Sequence, residues 1–259
     1  MSLWRPWCRK EYNEAWLKIT GNLGTREKKA IEEFKDIMLR HHKNMFKIAF
    51  GAEEKNWPNN KTEKIFKTTE KRFDKIWLKI RNDLPEAKES INNLLNDNQK
   101  IVEKIIENLN NFYRAKIKEI NTNIHLILLP SEVKGGGGKF IAGTDNIVIE
   151  SNLERMKKTT TIEIIIHELI HLYFEYYLEK TLYPRFSKEI SYHQLKEIIA
   201  RSLLPYGYLS FKYFNKSIKQ DLRSPNLIKL VKNYIELHKP IDESFIKECI
   251  EFYNRNKET

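Results

Sequence analysis

The chain contains 259 residues, of which 41% are hydrophobic and 31% charged, a balance that excludes intrinsic disorder and indicates a soluble globular protein. No apolar run approaches the roughly 18–20 residues that a membrane-spanning helix needs, and no secretory signal is visible at the first residues. The formal net charge of +11 favours anionic partners but identifies none. The two cysteines, Cys8 and Cys249, are too few to suggest disulfides, so we expect a reducing compartment, by default the cytoplasm.

The first part of the chain predicts an all-α region rich in lysine. Apolar residues recur at helical spacing over residues 26–50, 62–83 and 85–120, and the last stretch is interrupted in its Asn-rich segment 92–98. Residues 1–121 hold 26 Lys and Arg against 18 Asp and Glu, so most of the basic excess belongs to this region. We expect no catalytic chemistry from it.

The lysines of the predicted helix 62–83 lie opposite its apolar stripe. They could form a face that contacts phosphates, but the aromatic residues lie on the apolar stripe, where they cannot stack on bases. A solvated lysine face is therefore the preferred interpretation. Nucleic acid binding is the alternative, and substitutions at Lys67, Lys71 and Lys75 would test it.

The pattern changes after residue 121. The apolar run 123–129 ends at Pro130 and predicts a buried strand. The glycine run 135–138 predicts a mobile rim or lid, because no phosphate-loop lysine and no helix follow it directly. Residues 140–143 and 147–150 predict a hairpin around a tight turn.

A histidine pair marks the next predicted helix, which runs from about residue 159 to 178. His167, Glu168 and His171 form an H-E-x-x-H pattern, and histidines four residues apart lie one turn apart on one helix face. Imidazole suits zinc, and Glu168 can reach a water that the ion holds.

A catalytic zinc needs a third protein ligand. The following helix, predicted over residues 187–204, offers Glu189, His193 and Glu197. Beyond it, residues 209–214 could be extended, and two structural helices, 224–238 and 242–254, close the chain.

The order of strand, glycine loop, hairpin, H-E-x-x-H helix and acidic helix over residues 122–205 resembles the zincin metallopeptidases, specifically the gluzincins. The resemblance implies His167, His171 and Glu197 as zinc ligands and Glu168 as general base. It also implies that an edge strand pairs with the substrate, here at Phe140, Ile141, Ala142 and Gly143. The predicted fold is α+β, mostly α, with a helical region 1–121 and a zincin-like domain 122–259 that includes the closing helices.

Several positions depart from the family pattern. Metzincins require a glycine and a third histidine where this chain has Phe174 and Tyr177. Many gluzincins have an acid four residues after the ligand glutamate, where this chain has Arg201, so we expect the outer partners from elsewhere, with Glu175 as a candidate. The resemblance also implies a tyrosine or histidine that stabilises the oxyanion, and the candidates are Tyr183, Tyr206, Tyr208 and His238.

The sequence thus predicts a metallopeptidase with one Zn²⁺ per chain, a peptide or protein substrate and no membrane partner. One alternative is a Spartan-like protease associated with nucleic acid, in which His193 is the third ligand. The other is a helical protein that binds metal without turnover.

Overall fold

The computed structural model describes residues 77–115, 122–131, 137–141, 145–217 and 225–255, with a few isolated residues between Gly24 and Lys75. Most of the predicted helices 26–50 and 62–83 and the residues Lys71, Ala142 and Gly143 lie outside the described part. Within the described part the chain is mostly helical with a small three-stranded sheet, as the sequence predicts.

The described elements alternate between helices and short strands. In chain order they are α1 (Leu84–Asp97), α2 (Gln99–Tyr113), β1 (Asn123–Leu128), β2 (Gly137–Ile141), β3 (Asn146–Ser151), α3 (Leu153–Met156), α4 (Thr159–Tyr177), a 3₁₀ turn (Tyr183–Phe186), α5 (Tyr192–Leu203), α6 (Tyr208–Phe214), α7 (Pro225–Glu236) and α8 (Glu243–Arg255). The predicted break in the Asn-rich segment is confirmed, since Asn98 separates α1 from α2.

Two compact units divide the chain. One comprises residues 1–88, 127–136 and 150–154, and the other comprises residues 89–126, 137–149 and 155–259. The second unit contains the histidine motif together with α2. The domain boundary after residue 121 stays a prediction.

The sheet has the order β1-β3-β2, so β2 is an edge strand. The Asn123 amide donates to the Asp145 carbonyl and the Leu129 amide to the Ser151 carbonyl, so the numbers rise together and β1 runs parallel to β3. Only four residues join β2 to β3, a connection that makes them an antiparallel hairpin. The predicted hairpin is thereby confirmed.

The motif helix α4 is the centre of the second unit. It is apolar on nearly all sides, and a helix of this kind must be buried by its neighbours. It packs against β2, α5 and α2. Its Tyr173 and Phe174 are almost wholly buried, and the Tyr173 hydroxyl donates to Asn110 of α2 at 2.7 Å. Each such buried large apolar side chain contributes about 1.5–3 kcal/mol.

The helix after the motif begins later than predicted. Residues 183–186 form a 3₁₀ turn, and α5 starts only at Tyr192 because Ser191 caps it. The Ser191 side chain accepts from the Gln194 amide, and the Gln194 side chain accepts from the Ser191 amide, which is a capping box.

The prediction of extended chain over residues 209–214 is wrong. These residues belong to α6, in which Tyr208, Leu209 and Ser210 are buried while Phe211 and Lys212 are exposed, a grouping by helix face and not by strand alternation. Just beyond α6, Lys216 donates to Glu163 of α4, whose side chain is fully buried.

None of the helices in the described ranges is both long enough and apolar enough to cross a membrane.

The capping box yields a stability prediction. Ser191→Ala removes the acceptor for the Gln194 amide, so the free energy of unfolding should fall by about 1 kcal/mol in urea titrations. Ser217→Ala is the matched control, because Ser217 is exposed and lies outside any helix. Equal loss in both variants would contradict a capping role for Ser191.

Candidate metal centre

The structure brings His167, His171 and Glu197 together. One ligand atom from each lies within 4.8 Å of the others, and this is the single group of its kind among the residues that the structure describes. The two imidazoles lie one turn apart on α4, with ring centroids 4.6 Å apart and planes at 78°. Two imidazoles and a carboxylate are the donor set that zinc prefers in three-ligand sites.

Packing between α4 and α5 places Glu197 in this group. Leu195, Ile199 and Leu203 of α5 are fully buried, and Phe174 of α4 packs edge-on against Tyr192 with ring centroids 5.3 Å apart. Glu197 lies between these apolar positions and stays 24% exposed at its side chain. The His171 Nε2 atom therefore lies 3.3 Å from the Glu197 Oε1 atom.

The three side chains hold the protonation states that a metal site needs. Burial lowers the pKa of His171 to about 4, although the contact with Glu197 opposes this, and burial also lowers the pKa of His167. Burial tends to raise the pKa of Glu197, but the contact with His171 and the charge of Arg201 bring it down to about 2. At neutral pH the imidazoles are uncharged and the carboxylate is ionised, so no proton has to leave before a cation binds.

A backbone carbonyl orients the first histidine. The His167 Nδ1 atom lies 2.5 Å from the Leu204 carbonyl oxygen, just past the end of α5. A carbonyl can only accept, so the proton is on Nδ1 and Nε2 keeps its lone pair for a ligand. The His171 Nδ1 atom is buried without a hydrogen-bond partner.

Arg201 holds the other oxygen of the ligand glutamate. Its Nε donates to Glu197 Oε2 at 3.1 Å, while Glu197 Oε1 faces His171. The contact between Arg201 and Glu197 is not predicted from the sequence, where Arg201 is only a departure from the family pattern. The residue that departs from the family pattern is itself the partner, because position i+4 on α5 lies within reach of the carboxylate.

Glu168 is buried beneath the edge strand. Its side chain is 6% exposed, and a Cβ atom added at Gly138 of β2 would lie 2.5 Å from Glu168 Cγ and 2.8 Å from Ile164 Cγ2. Only a glycine lets the strand approach this closely. The prediction of a mobile rim is wrong for Gly137 and Gly138, because both belong to β2.

The remaining ligand candidates lie outside the cluster. His193 and Glu189 are exposed, and neither belongs to the group that contains Glu197.

The four oxyanion candidates are spread over the second unit: Tyr183 packs on Tyr192, the Tyr206 amide donates to Ser210 Oγ, the Tyr208 hydroxyl donates to Glu236, and His238 Nδ1 lies 3.5 Å from Asn111 Nδ2. Phe140 and Ile141 lie in the edge strand β2.

Sequence reasoning missed two contributors to this site. The Leu204 carbonyl carries no sequence signal, since every residue has one. The contact between the exposed Tyr176 hydroxyl of α4 and Asp145 Oδ1, at 2.7 Å, ties the β2–β3 turn to the motif helix. Neither contact can be predicted from the sequence, because each depends on where separate elements meet in the folded chain.

Comparison with known protein families, with curated proteins and with solved structures finds no match for this chain. The resemblance to zincins therefore stays a prediction from the sequence motifs.

Gly138 gives a sharp test of the strand's approach to Glu168. Gly138→Ala should destabilise the protein by about 1–3 kcal/mol, because its Cβ overlaps Glu168 and Ile164. Gly137→Ala is the matched control in the same strand, since an added Cβ there meets nothing within 4 Å. Thermal and urea unfolding of both variants measure the difference, and equal stability would contradict the close approach.

The buried histidines predict acid sensitivity of the metal-free protein. Their pKa values are lower in the folded state than the unfolded value near 6.5, so the unfolded state binds more protons below that pH. Stability should be unaffected above pH 7 and fall between pH 6.5 and about 4, with His171 accounting for about 3 kcal/mol. His171→Gln should flatten the profile, whereas the exposed His193→Gln should leave it unchanged.

Proposed function

We propose that the protein is a zinc-dependent metallopeptidase. The observation that carries the proposal is the convergence of His167, His171 and Glu197 within 4.8 Å, with Glu168 buried next to the first histidine. A solvated surface cluster would need no neutral buried imidazoles, and a purely structural helix would need no carboxylate from α5 opposite them.

The side chains divide the work. The two histidines and Glu197 would hold the ion, which when bound lowers the pKa of a water and polarises the peptide carbonyl. The Glu168 carboxylate accepts the proton of the attacking water and returns it to the leaving amine. Leu204 and Arg201 keep His167 and Glu197 in place, as outer partners do in metal sites.

The edge strand supplies a place for the substrate. β2 pairs with β3 on one side only in the described sheet, so its other side can add an extended peptide through backbone hydrogen bonds. Gly138 brings this strand against Glu168. A peptide paired with β2 would pass close to the proposed general base.

The geometry favours a gluzincin-type site over the Spartan-like alternative. That alternative requires His193 as a ligand, and His193 is exposed and outside the cluster, whereas Glu197 is within it. The third possibility, metal binding without turnover, differs in its assay result and not in its ligands.

Metal analysis of purified variants tests the ligand assignment. Wild type should hold about one zinc per chain, and Glu197→Ala should bind it at least about a hundredfold more weakly, since even outer partners are worth about 10- to 100-fold. Glu189→Ala is the matched control, because it is an exposed glutamate preceding the same helix. Absence of zinc uptake by the wild-type protein would contradict the proposal.

A peptide-cleavage assay on Glu168→Gln tests the chemistry separately. This variant should keep its zinc and lose activity by several orders of magnitude, because glutamine cannot accept the proton. Turnover that survives the substitution would rule out Glu168 as the base. If zinc-loaded wild type cleaves no peptide or protein, the result would favour the alternative of metal binding without turnover.

A further inference from the structure

Arg201 stands beside the candidate metal centre and is largely open to solvent. Its side chain is 63% exposed, and within the described part of the chain its Nε forms an ion pair with Glu197 Oε2. A guanidinium has five N–H donors in a planar fork, so a contact through Nε leaves the two terminal amino groups for another partner. The Glu197 carboxylate therefore lies between the positive charge of Arg201 and the histidine nitrogens that would bind the ion.

Lys196 adds a second positive charge on the same helix. It precedes Glu197, its Nζ lies 5.5 Å from the centroid of the Tyr192 ring, and its side chain is half-buried. Both Lys196 and Arg201 lower the pKa of His167, which places their charges within electrostatic reach of the histidine pair. The opposing acids are Glu197 and the buried Glu168, and on the side of Lys196 also Glu175 and Glu179, whose charges act on the Tyr192 ring.

The charge balance of the occupied site follows from these residues. Glu197 and Glu168 outweigh Arg201 by one negative charge, so a divalent ion leaves this immediate group net positive by one charge. Fields of one sign in a partly buried cleft concentrate ligands of the opposite sign and hold them by charge-assisted hydrogen bonds. Neutral or cationic peptides gain nothing from such a site.

We propose that Arg201 is a specificity-determining residue that selects substrates carrying a carboxylate close to the scissile bond. The carboxylate comes either from an Asp or Glu side chain or from a free C-terminus. The proposal rests on the proposed peptidase function and concerns the choice of substrate at the same site.

Binding to an inactive variant tests the preference without turnover. A capped neutral peptide that wild type cleaves is mapped by mass spectrometry to find the cut bond. Two related peptides are then made. One has Glu in place of Gln beside that bond, and the other is shortened so that it ends in a free carboxylate just beyond that bond. Zinc-loaded Glu168→Gln should bind one or both related peptides about three- to tenfold more tightly than the neutral peptide in calorimetry.

Matched double variants assign the effect to one residue. Adding Arg201→Gln should remove the preference, expressed as the ratio of dissociation constants, so that any change in zinc affinity cancels. Adding Arg255→Gln should keep it, because Arg255 forms the same kind of i,i+4 pair with Glu251 on α8 and has 64% exposure. The preference should also shrink as the salt concentration rises.

The outcomes separate the two proposals. Equal affinity for all three peptides, or a preference that survives Arg201→Gln, overturns the role of Arg201 and leaves the peptidase function intact. A wild type that cleaves no peptide while holding zinc removes the proposed function and this inference with it. Preference for the free C-terminus alone indicates an exopeptidase, and preference for internal Glu indicates an endopeptidase selective for acidic residues.

Discussion

The packing of α5 against α4 is the constraint on which the candidate site depends. The histidines come from one helix and fix two ligand positions by local geometry, but the third ligand is 26 residues further along the chain. It reaches His171 because α5 packs against α4, with Leu195, Ile199 and Leu203 of α5 fully buried. A small shift between the two helices would separate the three side chains, so apolar packing sets the distances within the candidate site.

The edge strand is held to the same helix in two places. Tyr176 contacts Asp145 at the β2–β3 turn, and Gly138 lies directly against Glu168 and Ile164. One helix thus organises both halves of the proposed chemistry, the ligands on one side and the substrate strand on another. The stability of α4 and the activity of the site are therefore hard to separate by substitutions within the helix.

The parts of the structure that sequence predicts are those set by short-range physics. The spacing of His167 and His171 defines a helix face without tertiary information, and the hairpin follows from its turn residues. The start of α5 was misplaced because the capping box at Ser191 and Gln194 outcompetes the apolar pattern before it. Residues 209–214 are assigned wrongly from the sequence because six residues are too few to separate helical from strand periodicity. Arg201 counts as a departure because the family pattern is defined by residue identity. Whether a side chain can contact Glu197 is decided instead by its spacing along the helix.

The hydrogen bond from His167 to Leu204 has an evolutionary consequence. A carboxylate in that position would titrate and could be lost by a single codon change, whereas a peptide carbonyl has no charge to lose and persists whatever side chain residue 204 carries. Selection on this contact therefore acts on the path of the backbone after α5, while the fully buried Leu204 side chain is constrained by core packing and not by this hydrogen bond. A residue pattern can therefore locate the candidate ligands of such a site without revealing the group that orients them.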